Sequence, residues 1–415
     1  MQIKVYRGTK EIGGTCVEIT SNGGKRLLLD LGAPLSTQNP DVSYAKKPVD
    51  ALLISHPHQD HYGLMEEVKT NTPIFMGQVS RDLINAPRIF LKKPPVANNI
   101  TVIKPWKSIT LAYDFEVTPY LVDHSSPEAF GFLIEADGKR VFYTGDFRST
   151  GKKGILFTNF LKRPPKNIDL MLCEGTMVGR NNAKYPTEAD VKYAITDIIK
   201  CQQNTSFVIS SAQNIDRFCS VYSACIRANK TVVIDIYNAW VLEVVGKLSP
   251  KLPKAGAYQL KVYLSPSQKK AIQGEEFKGF RERIEANAID KEIFSDPSNY
   301  VYLLRNPNEK LITKLKPKGI INIIYSMWAG YLTEEHKTYS TDKINRLKND
   351  KGISFHTIHT SGHATMEDIE KIVRAVCPKI LVPIHTEQPD KFKQVLEKNG
   401  FNNICLWDDN KEYQI

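Results

Sequence analysis

The sequence has no long apolar run. Nowhere in its 415 residues do the ~18 uncharged apolar residues of a membrane helix follow one another, so no membrane-spanning helix is expected. It has no CxxC pair. Its seven cysteines (Cys16, Cys173, Cys201, Cys219, Cys225, Cys377 and Cys405) are scattered and odd in number. That argues against a disulfide framework and a thiolate zinc site, and fits a reducing, cytoplasmic setting. The opening MQIKVYRGTKEIGG lacks a continuous apolar core, so a secretory leader is not expected. Internal repeats and long low-complexity tracts are absent, and 41% hydrophobic with 24% charged residues argue against general disorder. Acidic residues are outnumbered, 45 against 56 Lys and Arg, for a net charge of +11. That excess admits nucleic acid, an acidic membrane surface or an acidic protein as partner, and alone chooses none of them.

The length suits two or three domains. Up to about residue 180 the chain reads as short strands. GGTCVEIT and KRLLLDLG flank the turn cluster SNGG, and FGFLIEADGKRVFYTGD folds back around Asp137-Gly138. VDALLIS and NIDLMLCE are buried-type strands. From about residue 185 the rhythm changes. TEADVKYAITDIIKCQQN is amphipathic behind a Thr N-cap, then SFVISSAQ, NIDRFCSVYSACIRANK and TVVIDIYNA alternate as strand, helix and strand. This alternation predicts a parallel βαβ unit. After residue 350, strand-like ISFHTIHTSGHA precedes a helix, and KILVPIHTE is a strand ending in histidine. No Gly/Ser linker separates these parts. The expected organisation is therefore α/β, with a host domain of residues 1–184 and 351–415 interrupted by an inserted domain of residues 185–350.

The chain has only nine histidines, and three stand in Ser55-His56-Pro57-His58-Gln59-Asp60-His61, directly after VDALLIS. Neutral imidazoles and carboxylates suit a zinc ion. A tight loop can turn His56 and His58 to one metal and Asp60 and His61 to a second. Four residues are too few for two metals, and His124, Asp146 and His385 stand at other strand ends. Singly, each of these three is more often structural than a ligand; together with HPHQDH they read as the missing ligands.

In this order HxHxDH, a histidine, TGD and a C-terminal-side histidine resemble the hydrolase signature of the metallo-β-lactamase superfamily. The resemblance implies an αββα sandwich with two Zn2+ per chain; Mn2+ suits the same ligands. One zinc takes His56, His58 and His124, the other Asp60, His61 and His385, and Asp146 bridges them. Asp30 in LLLDLG matches the aspartate that braces the zinc loop. Glu174 in LMLCE, His363 in SGHA and His385 in PIHTE look like the three motifs of the β-CASP nucleases, which insert a βαβ-type domain into that sandwich. With EIGG and SSAQNIDRF, the pattern is most similar to ribonuclease J.

That resemblance implies a cytoplasmic, metal-dependent phosphodiesterase acting as exo- and/or endoribonuclease on single-stranded RNA. Histidine at position 385 is the choice of RNA-processing members, where the DNA-repair branch has an apolar residue. Asp60 and Asp146 would hold the metals and shuttle protons, His363 would stabilise the phosphate, and Glu174 would orient His363. Ser361 and Gly362 could cradle a neighbouring phosphate through backbone N–H groups. Arg217 stands near a helix start, where a phosphate could bind, and Trp328 lies in an aromatic cluster with Tyr325 and Tyr331 that would line the substrate path or pack the fold. Lys92, Lys93, Lys104 and Lys107 around Trp106, and Lys269, Lys270, Lys314, Lys316 and Lys318 in the insert, could contact nucleic acid. The rival readings are a single-stranded DNA nuclease of the same fold and a non-nuclease hydrolase such as an esterase. A non-catalytic RNA-binding scaffold would show broken motifs, and every ligand position is filled. No membrane partner is expected, and the oligomeric state, monomer or homodimer, stays open.

Overall fold

Side-chain alternation builds the first sheet. In Gln2–Arg7 the inward Ile3 and Val5 are wholly buried while the residues between them are half-exposed, the period-2 pattern of a strand with one face in a core. The computed structural model describes residues 1–35, 40–334, 336, 338 and 340–415. The chain divides into two units, one of Met1–Arg81, Val96–Asn181 and Gly362–Ile415, the other of Asp82–Pro95 and Asn182–Ser361.

The first unit has two sheets. In one, the spatial order is Glu412–Gln414, Gln2–Arg7, Cys16–Thr20, Arg26–Leu29, Ala51–Leu53, Ile74–Met76 and Ile100–Val102. In the other it is Ile380–Ile384, Leu170–Glu174, Lys139–Tyr143, Ala129–Ala136, Phe115–Val122 and Ile109–Leu111. Lys139 pairs with Ala136, and the two-residue loop between them, Asp137-Gly138, has φ of 53° and 72°. That is the left-handed pair a tight hairpin requires. The sheets share one core, in which Ile3, Val17, Leu29 and Leu53 pack with Phe130, Ile134, Tyr143 and Leu172. On the other face of the second sheet, helices Gly154–Lys162, Met366–Val376 and Pro389–Lys398 bury Phe157, Ile369, Val373 and Phe392 against Leu133, Phe142 and Met171. The layering is the α/β sandwich expected from the sequence.

The second unit is built on a six-stranded sheet, in the order Leu260–Tyr263, Thr231–Asp235, Tyr300–Leu304, Ser206–Ile209, Ile321–Tyr325 and Ile353–Thr357. Every pairing in it is parallel. Thr187 caps helix Glu188–Lys200 in a capping box with Asp190, as the TEAD run predicts. Ile353–Thr357, read from the sequence with the host domain, is an edge strand of this sheet, because its backbone pairs with Ile321–Tyr325. Among the described residues no helix is long and apolar enough to cross a membrane.

Candidate metal centre

Strand ends deliver the site. Asp30 follows Arg26–Leu29 with φ of 58°, a left-handed conformation that Asp tolerates better than most residues. Its backbone N–H donates to the Leu53 carbonyl at 2.8 Å, which ties it to the strand that feeds the histidine loop. The carboxylate is fully buried. It accepts from the Ser55 N–H at 2.7 Å, the Ser55 hydroxyl at 2.7 Å and the Tyr143 hydroxyl at 2.5 Å, and pairs with His61 Nδ1 at 2.7 Å. With Nδ1 occupied, His61 Nε2 points inward. Backbone bonds lock the loop to the same strand end, with the Leu31 N–H on the His61 carbonyl and the Ala33 N–H on the Gln59 carbonyl, both at 2.8 Å. A Cβ on Gly32 would fall 1.7 Å from the Asp60 carbonyl oxygen, so only glycine permits this approach.

The other histidines arrive from strands far apart in sequence, and each is braced. His124 Nδ1 donates to the Gly362 carbonyl at 2.7 Å. His385 Nδ1 meets the Thr15 hydroxyl at 2.6 Å, and the His385 backbone, at φ of 50°, donates to the Gly8 carbonyl at 2.6 Å. His58 Nδ1 lies 3.0 Å from His56 Nε2 and 3.1 Å from His124 Nε2. Asp146 Oδ2 sits among them, 3.2 Å from His61 Nε2, 3.5 Å from His363 Nδ1, 3.6 Å from His56 Nε2 and 4.0 Å from His124 Nε2.

Two groups of donors converge. His56, His58, His124 and Asp146 bring one atom each within 4.8 Å of one another, and so do Asp60, His61 and His385. Both carboxylate oxygens of Asp146, with His61 Nε2 and His385 Nε2, are buried and make no hydrogen bond. Buried polar atoms left unpaired are costly, and a cation at each convergence point would satisfy them. The donor set, imidazole and carboxylate, is that of zinc sites. The residues therefore fit a metal cofactor.

Electrostatics point the same way. Burial first, then the neighbouring imidazoles, hold His56 and His124 well below the ordinary histidine range, and His58 falls to about 4. Burial also lowers His385. Neutral imidazole is the metal-binding form. His61 behaves oppositely. Burial opposes its charge, but Asp146 and Asp30 outweigh burial and raise it. Burial works against the Asp146 carboxylate too, yet His61, His385 and His363 hold it well below the usual carboxylate range.

Beside this cluster stands a third group, Asp146, Glu174 and His363. Glu174 ends the strand Leu170–Glu174 and is 1% exposed. It accepts from the Phe147 N–H at 2.8 Å and pairs with His363 Nδ1 at 3.0 Å. Burial opposes protonation of His363, but Glu174 and Asp146 prevail and raise it to about 9.

The remaining expected contacts fall differently. Gly362 offers its carbonyl to His124, and a Cβ there would lie 3.4 Å from the His124 ring. Ser361 is the last residue of the second unit. Arg217 does lie in the first turn of helix Ile215–Arg227, but its guanidinium is fully buried. It pairs with Glu188 at 3.1 Å and donates to the Ser326 hydroxyl at 2.6 Å and to the Thr360 carbonyl at 3.2 Å. A buried charge needs such partners, and they, not a phosphate, take its hydrogen bonds. Trp328 packs on Tyr331 and His336 within the second unit, and Tyr325 is core.

Sequence reasoning missed Thr15 and Tyr143. The nearest signals were their positions, Thr15 directly after EIGG and Tyr143 directly before TGD. Thr15→Val removes the partner of His385 Nδ1. Metal affinity, read by chelator competition, is expected to fall about 10–100-fold, with Thr15→Ser restoring it. Unchanged affinity in Thr15→Val would mean that other contacts hold His385.

A β-lactamase superfamily domain model matches residues 25–202, and one described as a Zn-dependent metallo-hydrolase RNA specificity domain matches residues 353–406. A Sinorhizobium meliloti protein named ribonuclease J is 22% identical over 383 residues, 84% of this chain and 60% of that one. A Mycoplasma pneumoniae ribonuclease J is 24% identical over 440 residues, 97% of this chain and 71% of that one. The chain thus spans 60% of the first relative's length. A solved structure of a protein of unknown function from Enterococcus faecalis V583 superposes with a TM-score of 0.74 at 18% identity, covering 99% of both chains. That likeness is one of fold.

Proposed function

We propose that this chain, which matches a β-lactamase superfamily domain and an RNA specificity domain and is similar to proteins named ribonuclease J, hydrolyses phosphodiester bonds of single-stranded RNA with two divalent cations, zinc in the first place. The observation that carries the reading is the convergence of buried donor atoms without hydrogen bonds around Asp146. His56, His58 and His124 would hold one cation and Asp60, His61 and His385 the other, with Asp146 serving both. When bound, the cations supply Lewis acidity toward the phosphoryl oxygens and toward the attacking water.

The chain's own groups do the rest. Asp30 and Thr15 fix two imidazoles in the orientation that presents Nε2 inward. Asp60 and Asp146 would accept the proton that leaves the attacking water. His363, charged at neutral pH, donates to a non-bridging phosphate oxygen and stabilises the charge that develops there. Glu174 keeps that proton on His363 and fixes the ring. RNA is favoured over DNA by histidine at position 385 and by the RNA specificity domain matched at residues 353–406.

The test is a set of time courses on metal-loaded protein with 5′-monophosphate, 5′-triphosphate, 5′-hydroxyl and circular RNAs, beside matched single-stranded DNA and a carboxylic ester. RNA cleavage is expected. Mononucleotides released from the monophosphate end, with circles spared, identify a 5′ exonuclease; cut circles identify an endonuclease. Protein that turns over the ester or the DNA and leaves all four RNAs intact overturns the reading.

A further inference from the structure

The second unit holds a cleft of about 340 Å³ that the proposed reaction does not use. Small-ligand sites run from roughly 300 to 1,000 Å³, so the cleft suits a small group. Its floor is apolar: Tyr302 and Ile293 are each 2% exposed. Its walls carry the half-buried rings of Tyr263 and Phe294. Tyr263 is the last residue of strand Leu260–Tyr263, and Asn308 lies shortly after strand Tyr300–Leu304. Ligands of open parallel sheets bind beyond such carboxyl ends. The Tyr263 ring is not free to swing, because its hydroxyl accepts from Asn308 Nδ2 at 3.1 Å while Asn308 Oδ1 caps the Leu311 N–H at 3.2 Å.

The rim is basic. Lys291, Lys310 and Lys314 line it, against a single acid, Asp290. All three lysines are exposed, and none has a carboxylate within ion-pair distance among the described residues. Some other cations of this unit are matched. Glu309, next to Lys310, pairs with Lys343 and Arg346, Lys269 pairs with Glu285, and Lys316 pairs with Asp350. An aromatic wall under an unmatched positive rim calls for a ligand that is flat and apolar at one end and anionic at the other.

We propose that this cleft binds a nucleotide unit, its base against Tyr263 and Phe294 and its phosphate among Lys291, Lys310 and Lys314. Aromatic faces accept any base, and ammonium groups attract phosphate as point charges. The unit can come from a free mononucleotide or from a longer strand. The site stands whether or not the chain cleaves RNA.

The test uses the whole metal-loaded chain. Titration calorimetry compares 5′-AMP, a 2′-O-methyl decaribonucleotide that resists cleavage, and inorganic phosphate, on wild type and on Lys310→Glu/Lys314→Glu. Photocrosslinking with 8-azido-AMP, mapped by mass spectrometry, locates the bound base. The lysines are exposed, so the variant keeps its melting temperature and metal content. A tenfold or larger loss of affinity for AMP and oligonucleotide alike, with crosslinks at Tyr263 or Phe294, supports a site for free nucleotide. Loss confined to the oligonucleotide, with AMP binding in neither protein, supports a strand contact. Equal affinity in both proteins, or crosslinks only elsewhere, overturns the site. Phosphate that competes as well as AMP overturns the role of the base. Because binding is read without cleavage, failure of the ribonuclease reading leaves this result unaffected.

Discussion

Asp146→Asn is expected to keep the fold, lose bound metal and lower phosphodiester cleavage by roughly a thousandfold or more, since metals supply several kcal/mol of transition-state stabilisation. The substitution is nearly isosteric, so packing is preserved while the charge goes. Asp146 is 2% exposed, and neither carboxylate oxygen makes a hydrogen bond. Its Oδ2 lies 3.2 Å from His61 Nε2 and 3.6 Å from His56 Nε2, so it touches both halves of the ligand set. Replacing any one histidine would remove a ligand from one cation; removing this carboxylate weakens both. Metal content by mass spectrometry and initial rates on RNA check the expectation together. Full metal occupancy with near wild-type turnover would sink the two-cation reading, because the shared anion would then be dispensable. Full occupancy with lost turnover would move Asp146 from metal binding to proton transfer.

How much of this centre was legible in the sequence depends on how local each part is. HPHQDH was legible because its ligands lie within one turn of chain, where spacing alone dictates convergence. His124, Asp146 and His385 were visible as ligand-type residues at strand ends, but which cation each serves came only through resemblance, since parallel and antiparallel pairings, not spacing, bring their strand ends together. Thr15 was invisible, because its partner His385 lies 370 positions away and a threonine after a Gly pair has many uses. The Gly362 carbonyl carries no sequence signal at all. Arg217 shows the converse failure. Its place at a helix start was readable, but the inward turn toward Glu188, 29 positions earlier, was not. The strand Ile353–Thr357 was readable as a strand, yet alternation cannot say which sheet a strand joins. Composition counts lysines without saying which are paired. Of the insert lysines noted in the sequence, Lys269 and Lys316 are matched by Glu285 and Asp350, whereas Lys314 stands on the cleft rim.

His363 gives the second large effect, and its sign follows from its neighbours. An imidazole titrates ordinarily near about 6.5. Here burial pulls it down, and Glu174 at 3.0 Å with Asp146 at 3.5 Å pulls it up more, to about 9. A raised histidine stabilises the fold fully below its ordinary value and loses that contribution as pH rises through the folded one. The metal-free protein should therefore lose melting temperature between about pH 6.5 and about 9, and Glu174→Gln should lack that loss. In catalysis the charged ring is the donor. His363→Ala is expected to lower the rate at neutral pH by about a hundred- to a thousandfold, the usual cost of a lost transition-state donor, with metal content unchanged. Glu174→Gln is the sharper test. Without the carboxylate, burial again weighs against the charge, so the ring titrates at lower pH and the alkaline limb of the rate profile moves down with it. Activity then survives in mild acid and fades toward neutrality. Histidine NMR on the metal-free chain and rate profiles on the loaded one read the same shift independently. A neutral His363 at pH 7 in the wild type, or a profile that Glu174→Gln leaves in place, means that this pair is structural and that the phosphate finds its positive charge elsewhere.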